Sequence, residues 1–162
     1  MDFPKRKSPR IPGYDYSSAN YYFVTICTHE KKCIFGRPGV LNSMGNIAQF
    51  CLMRIPELYH HVKIDKYVIM PNHVHVIFDV ANHIVRADLS MIIGQFKMAV
   101  TKQIREHNPG FVVWQRSFHD HVIRNQKGYE EIWNYIENNP QKWEDDCFYI
   151  EPDKDESLRE GQ

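Results

Sequence analysis

Two histidines, His73 and His75, stand one residue apart inside the apolar run VIMPNHVHVIFDV, residues 68–80. Alternate residues of a strand point to the same side, so the two imidazoles share one face while Val74 and Val76 take the other. Two neutral imidazoles at that separation can bind one divalent ion. A buried strand face should not give two positions to imidazole without a partner, which favours a metal site.

The alternative is a chance pairing, because the chain holds nine histidines. A second pair of the same spacing, His119 and His121, occurs in the stretch FHDHVI. No third ligand accompanies that pair in the sequence, so it is the weaker candidate for a metal site.

A second chemical candidate is the stretch WNYIENNPQKW, residues 133–143. Tyr135 and Asn139 are four residues apart and lie on one face of a helix. In one interpretation, Tyr135 is a core aromatic and Asn139 caps the helix before Pro140. In the other, Tyr135 is a nucleophile and Asn139 gives a neutral oxygen to a metal. A phenol of ordinary pKa, ~10, attacks poorly at neutral pH. A cation that withdraws charge from a phosphodiester makes the attack feasible.

Alternating elements must position these residues. Hydrophobic periodicity predicts helices at 43–61, with a kink or end at Pro56, at 88–107 and at 127–139. Strands are predicted at 21–29, 62–70 and 73–80, and one more strand or two short ones within 112–124. This order predicts an α+β fold, a ferredoxin-like antiparallel sheet with helices packed on one face and an extra C-terminal catalytic helix.

Length and charge define the remaining organisation. The 162 residues suffice for one domain, residues 1–162, with a basic N-terminal arm at about 1–19. The net charge of +0 hides an asymmetry, because an acidic C-terminal tail at about 144–162 holds eight acidic and two basic side chains. The body is therefore basic, and the arm can follow a phosphate backbone or be an ordinary solvated end. With no membrane-length apolar run and no signal core, we expect a cytoplasmic protein.

Several motifs together resemble a known family. MPNHVHVIF, WQRSFHDHVIR and YIENNP, in that order and spacing, are similar to motifs of the single-strand DNA transposases of the HUH endonuclease superfamily, which carry a histidine–hydrophobic–histidine motif and one catalytic tyrosine. IPGYDYSSANYYFVTICTHEKKCIFG resembles the opening of the branch associated with repetitive extragenic palindromes (REP). The resemblance covers roughly residues 10–145.

The resemblance implies a function and a site. His73, His75 and Asn139 would hold Mg²⁺ or Mn²⁺, and Tyr135 would cut single-stranded hairpin DNA through a 5′-phosphotyrosine intermediate and rejoin it. No membrane partner is expected. Relatives occur as monomers and as homodimers, and the sequence does not decide between these states. From charge, aromatic content and one matching family position, the candidate DNA contacts are Lys5, Arg6, Lys7, Arg10, Trp114, Arg116, His121 and Arg124.

Three alternatives to these expectations stay open, one for the DNA contacts and two for the function. Trp114 could be a core residue, with Arg116 and Arg124 solvated. The chain could bind DNA hairpins on the same fold without cutting them, or it could be a metallohydrolase unrelated to DNA in which Tyr135 is structural. A nucleotide-driven mechanism is not indicated, because no Gly-x-x-x-x-Gly-Lys motif occurs.

Overall fold

The structure is a computed structural model that describes residues 20–81 and 88–151. In chain order its strands are β1 (Asn20–Cys27), β2 (Gly36–Arg37), β3 (Val40–Leu41), β4 (Val62–Met70), β5 (His73–Val80) and β6 (His119–Ile123). Its α-helices are α1 (Ser43–Met53), α2 (Ile55–Leu58), α3 (Asp88–His107) and α4 (Gln126–Asn138). Short 3₁₀ helices follow β1 at His29–Lys31 and α4 at Pro140–Asp145.

The main sheet has four strands in the order β4-β5-β1-β6, and all neighbouring strands are antiparallel. Strands β2 and β3 form a separate two-stranded ribbon. Without that ribbon and the short helix α2, the chain runs strand, helix, strand, strand, helix, strand, and α4 follows as the extra helix. The predicted ferredoxin-like α+β fold is confirmed.

The two faces of the sheet have different cores. Helices α1 and α3 cover one face, where they pack against Val24, Val74 and Val76. Helix α4 lies against the other face, where its buried Ile132 and Ile136 join a smaller cluster of strand residues, namely Phe23, Ile77 and Ile123. Because His73 and His75 alternate in phase with Ile77, both histidines belong to the α4 face.

Two local predictions are resolved by the structure. The stretch 43–61 forms two helices, since α1 ends at Met53 with Arg54 as its capping residue. Pro56 lies in the first turn of α2, where a missing N–H costs little. Within 112–124 the structure has one strand, β6, and only an isolated bridge between Thr28 and Trp114. Ser117 interrupts the extended chain because its φ of 67° lies in the left-handed region.

Some predicted features fall outside the described residues. Lys5, Arg6, Lys7 and Arg10 do so with the whole N-terminal arm, and the acidic tail is described only as far as residue 151. Within the described ranges, no helix is both long and apolar enough to cross a membrane.

Candidate active site

The turn between β4 and β5 holds the first histidine in place. The carbonyl of Pro71 accepts a hydrogen bond from the backbone N–H of Ile34 at 2.9 Å. The carbonyl of Asn72 accepts two more from Thr28, from its backbone N–H at 2.9 Å and from its hydroxyl at 3.0 Å. Because His73 directly follows this hydrogen-bonded turn, its position is fixed by the chain around Thr28 and Ile34.

The side chain of Asn72 fixes the tautomer of His73. Its Nδ2 donates to the carbonyls of Lys31, at 3.1 Å, and of Phe148, at 2.8 Å, so its Oδ1 is the acceptor. That oxygen lies 2.7 Å from Nδ1 of His73, and Nδ1 must therefore carry the proton. The lone pair is left on Nε2, the arrangement that a metal-binding histidine needs.

His75 is anchored in a similar way. Its Nδ1 lies 2.8 Å from Oγ1 of Thr25, which is its partner in the register of β1 and β5. When Nδ1 donates to that hydroxyl, the lone pair lies on Nε2. The His73 and His75 rings are both fully buried, with centroids 4.4 Å apart. Burial lowers the pKa of His73 to about 4, and it holds the pKa of His75 well below its ordinary value.

Helix α4 brings Asn139 to the same place. Ile132 and Ile136 fix the helix on the sheet, and Asn139 follows as its C-terminal capping residue, one turn after Tyr135. Pro140 then begins a 3₁₀ helix. Asn139 is 2% exposed, and its Oδ1 is buried without a hydrogen-bond partner among the described residues.

Asp146 completes this group, although sequence reasoning missed it by assigning it to the acidic tail. One ligand atom each from His73, His75 and Asp146 lie within 4.8 Å of one another. The side chain of Asp146 has no exposed surface, and its Oδ2 lies 3.7 Å from Nε2 of His73. The same Oδ2 accepts a hydrogen bond from Nδ2 of Asn139 at 2.5 Å.

Tyr135 borders the histidines and a cavity. Its ring meets that of His75 edge to face, with centroids 5.3 Å apart. Together with Asn139 and Asp146 it lines a cavity of about 420 Å³. Burial, the charge of Asp146 and contact with Cys147 raise the pKa of Tyr135 well above its ordinary value, so the phenol is neutral at physiological pH.

Tyr129, the other tyrosine of α4, is the alternative candidate for the nucleophile, and it occupies different surroundings. Its hydroxyl donates to the carboxylate of Asp65 on β4, and its ring contacts Tyr21. Burial and Asp65 raise its pKa to about 12. Neither contact brings it to the two buried histidines.

The donor atoms fit a divalent cation. Nε2 of His73 and Oδ1 of Asn139 are buried and make no hydrogen bond within residues 20–81 and 88–151. Such orphaned acceptors are unfavourable in a protein interior unless a ligand meets them. Imidazole nitrogens with nearby amide and carboxylate oxygens are ligands that Mn²⁺ and related ions take.

Within the part of the chain that the structure describes, the predicted DNA contacts fall into two groups. Trp114 packs between Phe35 and Phe96, and its Nε1 donates to the carbonyl of Lys97, on the side of the sheet away from α4. This packing favours the structural interpretation of Trp114. Three other predicted contacts have exposed side chains, namely Arg116, His121 and Arg124.

The second histidine pair lies on the same sheet face as the first. His119 pairs with Thr25, which pairs on its other side with His75, so the three form one row across the sheet. His121 is in the corresponding row with Phe23 and Ile77. Burial and the neighbouring His73 lower the pKa of His75, and the nearby His119 lowers it further.

Comparison with known proteins identifies the family. The sequence profile of the IS200-like transposases matches residues 15–139, and the chain belongs to this family. An uncharacterised protein of Haemophilus influenzae strain Rd is 36% identical over 169 residues, covering 90% of this chain and 94% of that protein. The structure of a REP-associated tyrosine transposase bound to a REP hairpin matches with a TM-score of 0.64 at 21% identity, covering 82% of this chain and 73% of that one.

Proposed function

We propose that this protein is a metal-dependent single-strand DNA endonuclease and strand transferase acting at hairpin-forming palindromic sequences. The observation that carries the proposal is the contact of the Tyr135 ring with the buried His73–His75 pair, next to a cavity that Tyr135 and Asn139 line. Membership of the transposase family supports a DNA substrate. The REP hairpin bound to the solved relative supports a folded single strand as its form.

The chain's own residues divide the chemistry between them. Mg²⁺ or Mn²⁺, held by the histidines and Asn139, would supply Lewis-acid withdrawal of charge from the scissile phosphate. The phenolic oxygen of Tyr135 attacks phosphorus and gives up its proton to solvent. The bond from phosphorus to the 3′ oxygen breaks, and that oxygen takes up a proton. A 5′-phosphotyrosine and a free 3′-hydroxyl result, and rejoining needs no nucleotide because the phosphodiester energy is kept.

The proposal is tested by trapping the covalent product. The purified full-length chain is incubated with Mn²⁺ and a single-stranded hairpin taken from a palindromic repeat flanking the gene. The hairpin is labelled at its 3′ end, because the 5′-phosphotyrosine keeps the strand on the 3′ side of the cut. We expect a labelled protein band that survives denaturation and disappears when a chelator removes the metal. Hairpin binding without any adduct would support the non-catalytic alternative, and metal-dependent turnover of a non-nucleic substrate would support the metallohydrolase.

Asn139→Ala is expected to raise the Mn²⁺ concentration needed for half-maximal cleavage by about tenfold. The substitution removes the orphaned amide oxygen, and hairpin affinity should change little because Asn139 is only 2% exposed. The matched control is Asn138→Ala, because Asn138 lines the same cavity yet is exposed and donates to the carbonyl of Asn134. An unchanged metal titration for Asn139→Ala would make this residue a helix cap only.

A further inference from the structure

A carboxylate outside the motifs of the sequence analysis is buried against the candidate metal site. Asp146 lies beyond α4 and the following 3₁₀ helix, and its side chain has no exposed surface. Among the described residues, its one ionisable partner within ion-pair distance is His73. Burying a carboxylate is unfavourable unless hydrogen bonds and a positive charge compensate it.

The hydrogen bonds are present. Oδ1 of Asp146 accepts from the backbone N–H of Phe148 at 2.9 Å, and Oδ2 accepts from Nδ2 of Asn139 at 2.5 Å. The latter bond orients the Asn139 amide, so that the other end of this amide, the buried Oδ1, is left to a ligand. What these contacts lack is a full positive charge.

The packing of the next residues holds the carboxylate in this position. The Phe148 ring lies 4.6 Å from that of His73 and 5.8 Å from that of His75, measured between centroids. The Phe148 carbonyl accepts from Asn72, the residue that sets the His73 tautomer. The segment that carries Asp146 is thus joined to the histidine pair through both its backbone and its side chains.

We propose that Asp146 is a further ligand of the divalent ion, so that the site is built from His73, His75, Asn139 and Asp146. The inference rests on the proposed function, because it concerns the same ion. Ligand atoms around one ion with bonds of about 2.1–2.2 Å lie roughly 3–4.4 Å apart. The three atoms here lie within 4.8 Å of one another, so binding an ion would draw the widest pair together by up to a few tenths of an ångström. The carboxylate gives the site one negative charge and a hard oxygen, which suits Mn²⁺ or Mg²⁺.

Metal binding without DNA tests this assignment separately from catalysis. Free Mn²⁺ is measured by its electron paramagnetic resonance signal during titration of the full-length protein, and metal-induced thermal stabilisation is recorded in parallel. We expect Asp146→Asn to weaken Mn²⁺ binding by about tenfold or more and to reduce the thermal shift. The matched control is Asp145→Asn, which removes the same charge from an exposed neighbour lining the same cavity and should bind like wild type.

The outcomes separate the two proposals. Wild-type Mn²⁺ affinity in Asp146→Asn overturns the ligand assignment. If cleavage is also faster in this variant, the carboxylate acts instead as a competitor of the DNA phosphate. Asp146-dependent Mn²⁺ binding without any DNA adduct from wild type would keep the ligand and reject the transferase. If Asp146→Asn has a lower melting temperature without metal, a second pair of variants is compared. Asp146→Glu keeps the carboxylate, so its Mn²⁺ affinity should exceed that of Asp146→Ala. Equal affinities reject the assignment.

Discussion

Tyr135→Phe is expected to abolish the covalent DNA adduct and to lower cleavage by at least about a thousandfold, because it removes the attacking oxygen. The ring and its edge-to-face contact with His75 are retained, so the fold and the hairpin affinity should change little. The hydroxyl lies beside Cys147, and its loss should alter the free energy of unfolding by no more than about 1 kcal/mol. A denaturing gel measures the adduct, and filter binding measures hairpin affinity.

Tyr129→Phe is the matched control on the same helix. It also removes one phenolic oxygen, but that oxygen bonds to Asp65 and lies apart from the histidine pair. We expect this variant to form the adduct at close to the wild-type rate. Mass mapping of the trapped peptide provides the independent check, and a DNA-linked peptide containing a tyrosine other than Tyr135 would reject the assignment.

The shared face of His73 and His75, and that of Tyr135 and Asn139, could be predicted because each spacing is local. The two-residue period of a strand places His73 and His75 on one face, and the 3.6-residue period of a helix places Tyr135 and Asn139 on another. Apolar residues in phase with these positions, Ile77 on β5 and Ile132 on α4, bury the two faces against each other. The candidate site residues and the apolar residues that pack the helix on the sheet therefore follow the same strand and helix periods.

Asp146 could not be predicted in this way because its neighbours in sequence gave the opposite indication. It belongs to the run EDD, followed by many more charged residues, and this composition is typical of a solvated tail. Its burial depends on contacts with Asn139 and His73 that form only in the folded chain. The described part of the tail thus packs at the site, and a charge count does not contain that information.

The supporting residues of the histidines were missed for a related reason. Asn72 follows a proline between two strands, which is a typical turn position, and nothing local indicates that its amide orients His73. Thr25 looks like an ordinary β-branched strand residue, and its role depends on the register between β1 and β5. Residues that orient metal ligands are often distant in sequence, so a pattern search finds candidate ligands before the residues that support them.

His73→Ala and His75→Ala are each expected to reduce cleavage below detection and to remove the Mn²⁺-induced thermal stabilisation. Each substitution deletes an anchored imidazole from a site with few ligands. Loss of His73 also leaves the Oδ1 of Asn72 without its donor, at a cost of about 1–3 kcal/mol in the free energy of unfolding. Circular dichroism melts without metal must therefore accompany the activity and metal titrations.

The second histidine pair provides the control for this experiment. His121→Ala removes an imidazole from the same sheet face, but the side chain is exposed and lies beyond β1 from the candidate metal ligands. This variant should retain the Mn²⁺-dependent thermal shift. Any loss of cleavage should result from weaker hairpin binding. Because His119 shares a row with Thr25 and His75, His119→Ala should have an effect intermediate between those of His121→Ala and His75→Ala. Wild-type cleavage rates in both His73→Ala and His75→Ala would show that these histidines are not the metal site, whatever the controls give.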